Sequence, residues 1–317
     1  RTNMPVTPFL DSLTDNTIKG YALASVFGAN TANSEFEFLT GNTMVFLPPG
    51  SIPYQQYLKG KVPSLASELK AQGYATVAMH PYYETGWSRN EVYSRMGFDA
   101  MRFIEDYADA EYIRKYVSDR SDYKTLIKEY EEREREKPLF IFNVTMQNHG
   151  GYGQEFDNFS PEIEAKEIKS QPLSNYLSLI SLSDEALAEL IGYFEKEEEE
   201  VLLVFFGDHQ PNDTVAAPIR SLQGMEDKEL TQEQEAARYE VPFLIWANYD
   251  IEEKQDIKTS ANFLALEVFR QTGITPKGYY RYLEELEKSY PVISTKQLLT
   301  GDGEVLFPNE WEKAEEL

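Results

Sequence analysis

Four runs of apolar residues stand out along the chain, at positions 74–79 (YATVAM), 138–145 (PLFIFNVT), 201–206 (VLLVFF) and 241–246 (VPFLIW). Each has strand length, and near-continuous apolarity rich in β-branched and aromatic residues suits strands covered on both faces, as in a parallel sheet. Between them the period lengthens. Residues 64–72 read as a helix stopped by Gly73, and residues 177–198 carry Leu177, Ile180, Leu187, Leu190, Ile191 and Phe194 at helical spacing before an acidic tail. Strand alternating with helix predicts an α/β fold, a three-layer sandwich with a mostly parallel central sheet. Helical segments separated by Gly273 and Pro276 predict a small C-terminal α+β portion. The expected division is a main domain over 1–258 and a C-terminal helical subdomain over 259–317 packed on it. The charged, Tyr-rich stretch 108–137 reads as surface helices with a solvated face, and the acidic run 195–200 as a solvated helix end.

Composition narrows the function. The chain has 317 residues and 41% hydrophobic content, enough for a sizeable core. Thirty Lys and Arg against 54 Asp and Glu give a net charge of -24, which argues against nucleic acid as a partner. An anionic substrate would need a local cluster of cations or a metal. There is no Cys, hence no disulfide, thiolate metal site or cysteine nucleophile. No run of about 18 apolar residues suggests a membrane span. The chain opens Arg1-Thr2-Asn3-Met4, which suggests a processed fragment of a longer protein.

All three histidines follow an expected strand: His80, His149 and His209. Ligands of open α/β sheets bind at the carboxyl ends of strands, so the three are expected on one rim. In Gly207-Asp208-His209-Gln210-Pro211 a carboxylate and an imidazole emerge together, a donor pair suited to Mn²⁺, Zn²⁺ or Mg²⁺. The bland alternative is an Asp capping the next turn. In Gly28-Ala29-Asn30-Thr31-Ala32-Asn33-Ser34 a small-residue loop leads into a helix, placing Thr31 where backbone N–H groups favour an alkoxide or phosphate. There the bland alternative is an ordinary helix cap by Thr31, Asn33 or Ser34. A hydroxyl becomes a competent nucleophile when a metal lowers its pKa, so this loop needs a metal beside it. The segment His80 to Asn90 contains Trp87 and Arg89, an apolar wall and a planar phosphate fork. The strand end before His149 runs into Gly150-Gly151, and its imidazole is suited to a phosphate oxygen or leaving group.

The loop Asn30-Thr31-Ala32-Asn33-Ser34-Glu35-Phe36, the His80…Trp87-Ser88-Arg89 segment, His149 and Gly207-Asp208-His209 occur in the order found in lipoteichoic acid synthases. The chain resembles that branch of the alkaline phosphatase and sulfatase superfamily over most of its length. The resemblance implies that Thr31 attacks the phosphate of phosphatidylglycerol, forms a glycerophosphoryl-enzyme and releases diacylglycerol. The glycerophosphate then passes to a hydroxyl acceptor such as lipoteichoic acid or a related glycopolymer. It implies one divalent cation, Mn²⁺ ahead of Mg²⁺ or Zn²⁺, held by Thr31, Asp208, His209 and a glutamate. His80, Trp87, Arg89 and His149 match the residues that grip the phosphoglycerol head group. It also implies an extracytoplasmic location and attachment to the membrane through upstream helices.

In that family the glutamate ligand lies on a strand before the nucleophile loop, and no apolar strand bearing a Glu precedes Thr31. Residues 7–13 match the helix that follows that strand, so the first strand, the glutamate and the membrane helices are expected upstream of residue 1, with low metal occupancy in this chain alone. Sulfatase activity is disfavoured, because the Thr31 loop lacks the Cys/Ser-x-Pro-x-Arg context. The alternatives are another phosphodiesterase, a phosphoethanolamine transferase, or a non-catalytic domain that binds glycerophosphate polymers.

Overall fold

The computed structural model describes residues 1–225 and 230–314. The described residues form two compact units, one of residues 1–13, 69–198 and 211–225, the other of residues 14–68, 199–210 and 230–314. The first unit is built on a three-stranded parallel sheet in the order Ala100–Arg102, Ala75–Met79, Leu139–Asn143. Val77 and Met79 of the central strand are buried with Tyr107 and Val117, which is why this strand reads as a continuous apolar run. Helix Asp119–Glu132 packs on strand Leu139–Asn143 and on the long helix Gln171–Phe194. The expected N-terminal helix forms as Pro8–Ser12, and its Phe9 and Leu10 N–H groups donate to the two carboxylate oxygens of Asp184, both at 2.8 Å.

The second unit carries a four-stranded sheet in the order Leu202–Phe206, Glu240–Ala247, Thr17–Leu23, Lys254–Ser260. Strand Glu240–Ala247 runs antiparallel to both neighbours, contrary to the parallel setting its apolar run suggests. A strand covered on both faces has the same apolar pattern in either direction, so composition does not carry the sense of the chain. In these two sheets every pairing that does not involve this strand is parallel.

Strand Thr17–Leu23 has no counterpart among the sequence expectations. Lys19, Gly20 and Tyr21 interrupt its apolar pattern, yet it lies inside the sheet with Thr17, Ile18, Ala22 and Leu23 buried. Gly20 is required sterically: a Cβ there would collide with the Ile257 backbone. The C-terminal region adds helices Leu264–Thr272 and Gly278–Ser289 and a small three-stranded sheet, Val292–Ile293, Leu298–Leu299 and Val305–Leu306.

The stretch 108–137 departs from its reading as a solvated face. It forms a short hairpin, Tyr112–Ile113 and Tyr116–Val117, and then helix Asp119–Glu132, with Arg114, Tyr116, Asp119, Asp122 and Tyr123 all buried. Among the described residues, no helix is long and apolar enough to cross a membrane.

Candidate active site

In the second unit, helix Thr31–Thr40 begins at Thr31 and is buried from Ala32 to Thr40. Its N-cap is Asn30, in the left-handed region at φ 70°, so the hydroxyl of Thr31 is not used as a cap. Thr31 Oγ1 instead donates to Asp208 Oδ2 at 2.5 Å. Two further bonds hold the loop against the strand end that carries Asp208. Ser34 Oγ donates to the Asp208 carbonyl at 2.5 Å, and the Gly28 N–H donates to the Gln210 carbonyl at 3.0 Å. Gln210 is anchored in turn by its Nε2, which donates to the Glu240 carbonyl.

His209 completes the cluster. Its Nδ1 lies 2.8 Å from the Gln210 carbonyl, an acceptor, so Nδ1 carries the proton and Nε2 the lone pair. Nε2 lies 3.2 Å from Asp208 Oδ2. Two lone-pair atoms facing each other call for a shared proton or a cation, and a hydroxyl, a carboxylate and a neutral imidazole suit a divalent metal. The residues present therefore fit the metal that the sequence implies. Among the described residues, Asp208 and His209 gain no third His, Cys, Asp or Glu at metal-binding range.

Beneath this cluster Glu37 is buried on the same helix. Its Oε1 accepts from Ser25 Oγ (2.7 Å), Thr43 Oγ1 (3.2 Å) and the Met44 N–H (2.9 Å), tying the start of the Thr31 loop to the helix. Burial pushes its carboxyl up to about 7, against the downward pull of those hydrogen bonds. The folded value exceeds the unfolded value of 4.5, so the contribution to stability is full below pH 4.5 and is lost as pH rises through 7. Glu37→Gln is expected to remove that part of the pH dependence, about 3 kcal/mol between pH 4 and 8. Urea unfolding of both proteins at the two pH values measures it, and an unchanged difference in the variant refutes it.

The first unit holds the other four expected residues. His80 directly follows strand Ala75–Met79, is buried, and its Nδ1 donates to the Val144 carbonyl at 2.8 Å, which places the lone pair on Nε2. Trp87 and Ser88 both adopt positive φ, 55° and 57°, an uncommon pair of non-glycine residues in a left-handed turn. That turn starts helix Arg89–Met96, whose first residue Arg89 is buried.

His149 lies beyond the end of strand Leu139–Asn143, in a loop rather than directly at the strand terminus. That loop is fixed in place. The Arg114 guanidinium donates from one nitrogen to the Gln147 and His149 carbonyls, both at 2.7 Å. Gln147 Nε2 donates to the Leu179 carbonyl and to Ser183 Oγ, each at 3.1 Å, and its Oε1 accepts from the Asp119 N–H at 3.0 Å. A chain of rings links the two histidines: His80 to Tyr82 at 6.1 Å, Tyr82 to Tyr116 at 6.3 Å, Tyr116 to His149 at 5.2 Å.

The structure thus brings Thr31, Asp208 and His209 together in one unit, and gathers His80 and His149 on one aromatic cluster in the other, with Trp87 and Arg89 in the turn that follows His80. Sequence reasoning missed Ser34, Gln210, Arg114 and Tyr116. The first two lay within quoted motifs, but the last two lay in a charged run that nothing marked as buried.

The chain belongs to the sulfatase family, whose profile matches residues 1–274. The chain is 32% identical over 289 residues to a Rhizobium meliloti (strain 1021) protein named for cyclic β-1,2-glucan modification. That match covers 90% of this chain and 45% of the relative, so the chain spans less than half of that relative's length. Its fold is that of the Streptococcus pyogenes phosphoglycerol transferase GacH, solved in complex with sn-glycerol-1-phosphate. The TM-score is 0.76 at 21% identity, covering 92% of this chain and 74% of that one. The Listeria monocytogenes lipoteichoic acid synthase LtaP is similar, with TM-score 0.69, 20% identity and coverage of 95% and 80%. The alkaline-phosphatase-like α/β fold with a mostly parallel sheet is therefore established, as is the likeness to the lipoteichoic acid synthase branch.

Proposed function

We propose that this chain is the catalytic domain of a metal-dependent phosphotransferase that moves glycerophosphate from phosphatidylglycerol to a hydroxyl acceptor through a covalent intermediate on Thr31. The observation that carries this reading is the hydroxyl of Thr31 at a helix N-terminus, 2.5 Å from Asp208 Oδ2, with His209 Nε2 facing the same oxygen.

Thr31 Oγ1, Asp208 and His209 Nε2 would hold one divalent cation, Mn²⁺ first, which when bound lowers the hydroxyl's pKa and neutralises phosphate charge. The chain's own groups do the rest. Asp208 Oδ2 accepts the Thr31 proton as Oγ1 forms its bond to phosphorus, and the N–H groups of the helix start face the negative charge. Arg89 supplies a fork for the phosphate oxygens, Trp87 a wall for the glycerol, and His80 and His149 hydrogen bonds to the head group. The bond from phosphorus to the diacylglycerol oxygen breaks, and that oxygen takes a proton from solvent as it leaves. An acceptor hydroxyl then attacks the phosphothreonine and releases its proton to solvent, and Thr31 recovers its own proton from Asp208 as it leaves.

The relative named for glucan modification supports a saccharide hydroxyl as the acceptor, and the likeness to a lipoteichoic acid synthase supports a glycerophosphate polymer. On this reading the reaction takes place at the extracytoplasmic face of the membrane. The test is the intact mass of the protein carrying this domain after incubation with phosphatidylglycerol and Mn²⁺. A glycerophosphate adduct mapped to Thr31, with diacylglycerol released, is expected. Metal-loaded, folded protein that forms no adduct and releases no diacylglycerol overturns the reading.

A further inference from the structure

His149 is exposed, yet the groups that hold it are buried: Tyr116 is 6% exposed and Arg114 5%. A surface histidine with no task has no need of such a mount. Arg114 sits at the hairpin turn with φ 57°, a costly conformation for a non-glycine residue, and its guanidinium lies 5.5 Å and 5.6 Å from the Tyr116 and Tyr152 ring centres. Among the described residues it has no carboxylate partner, and one of its nitrogens binds the His149 carbonyl directly. Backbone and ring of His149 are thus both fixed from the buried side.

The ring contact decides where the imidazole proton sits. Tyr116 Oη lies 2.9 Å from His149 Nδ1. Among the described residues the hydroxyl has no other hydrogen-bond partner, so a proton on Nδ1 would leave the buried Tyr116 O–H without an acceptor there. The bonded arrangement has Tyr116 donating to Nδ1. Arg114 and Lys115 of the same hairpin lie against the Tyr116 ring, Lys115 Nζ 5.3 Å from its centre. Tyr152 joins Arg114 from the loop that follows His149. An imidazole whose Nδ1 accepts a hydrogen bond carries its proton on Nε2.

We infer that Tyr116 is a positioning residue of the transfer site: it holds His149 as the neutral tautomer with the proton on Nε2, so that Nε2–H is a donor to the anionic substrate. The assignment rests on the reading of His149 as a head-group contact. It also sets the two histidines in opposite roles, because His80 has its proton on Nδ1 and its lone pair on Nε2.

With only three histidines in the chain, selective ¹⁵N-histidine labelling resolves each ring by NMR. In the wild type, His149 is expected to show a protonated Nε2 and a bare Nδ1. Tyr116→Phe keeps the ring beside Arg114 and deletes only the hydroxyl; it is expected to populate the Nδ1–H tautomer and to lower kcat roughly 10- to 100-fold with little change in KM. In a His149→Gln background the same substitution is expected to have no further effect on kcat, because Tyr116 acts through His149. A proton on Nδ1 in the wild type, an unchanged tautomer and kcat in Tyr116→Phe, or additive losses in the double variant each overturn the inference. The NMR readout needs no substrate, so a wild type with the expected tautomer but no activity toward phosphatidylglycerol refutes the substrate assignment and leaves the positioning role standing.

Discussion

Replacing Thr31 by alanine is expected to lower turnover by about 10⁴-fold or more and to abolish the covalent adduct, because among the described residues no other hydroxyl is bonded to Asp208 Oδ2. Ser34 stands one helical turn on, but its Oγ is already bonded to the Asp208 carbonyl. The fold is expected to survive. Thr31 is only partly buried at the first position of its helix, and alanine has the higher helix propensity. The melting temperature should stay within a few degrees of the wild type. Thr31→Ser, which retains a hydroxyl in the same place, should recover part of the turnover and form the adduct. If the alanine variant still releases diacylglycerol at the wild-type rate, the nucleophile lies elsewhere and the mechanism proposed for this site is wrong.

Asp208→Asn is expected to weaken Mn²⁺ binding by about 10³-fold, more than the 10- to 100-fold typical of residues that only support a ligand. One carboxylate oxygen serves both partners here, accepting from Thr31 Oγ1 and facing His209 Nε2. The amide preserves the shape and can still accept a hydrogen bond through its oxygen. It loses the negative charge that a divalent cation needs, and its NH₂ group cannot ligate. Titration calorimetry with Mn²⁺ and elemental analysis after dialysis read this without recourse to activity. Wild-type affinity in the asparagine variant would exclude Asp208 as a ligand. A rise in activity at high Mn²⁺ would show that the chemistry is intact and only occupancy is reduced.

These expectations rest on segments of unequal legibility. The four apolar runs became strands within a residue or two of their expected bounds, because a core strand must be apolar wherever it pairs. Strand Thr17–Leu23 escaped notice for the opposite reason: Lys19 is only half-buried and Tyr21 is exposed, which breaks the apolar run, and Gly20 is there to let Ile257 approach. The charged stretch 108–137 was the largest misreading. Charge runs are usually solvated, but Asp119 and Asp122 are buried, and burial pushes their carboxyls up to about 6 and about 7. Asp122 is held there by Tyr107 Oη at 2.8 Å and Asn143 Nδ2 at 2.7 Å, partners that local sequence does not reveal.

The sequence by itself determined the α/β class and the superfamily and named the residues of the proposed site, because these depend on local apolar pattern and on short motifs whose members are neighbours in the chain. Thr31 at a helix start and Asp208-His209 after a strand are local facts of that kind. The sense of strand Glu240–Ala247, the bond between Thr31 and Asp208 and the buried mount of His149 were decided only in three dimensions. Thr31 and Asp208 are separated by 177 positions, and Arg114 and His149 by 35. No local pattern records a hydrogen bond between residues so far apart: each partner would be equally stable in its own segment with the other absent, and only the packing of the sheets and helices brings the two together.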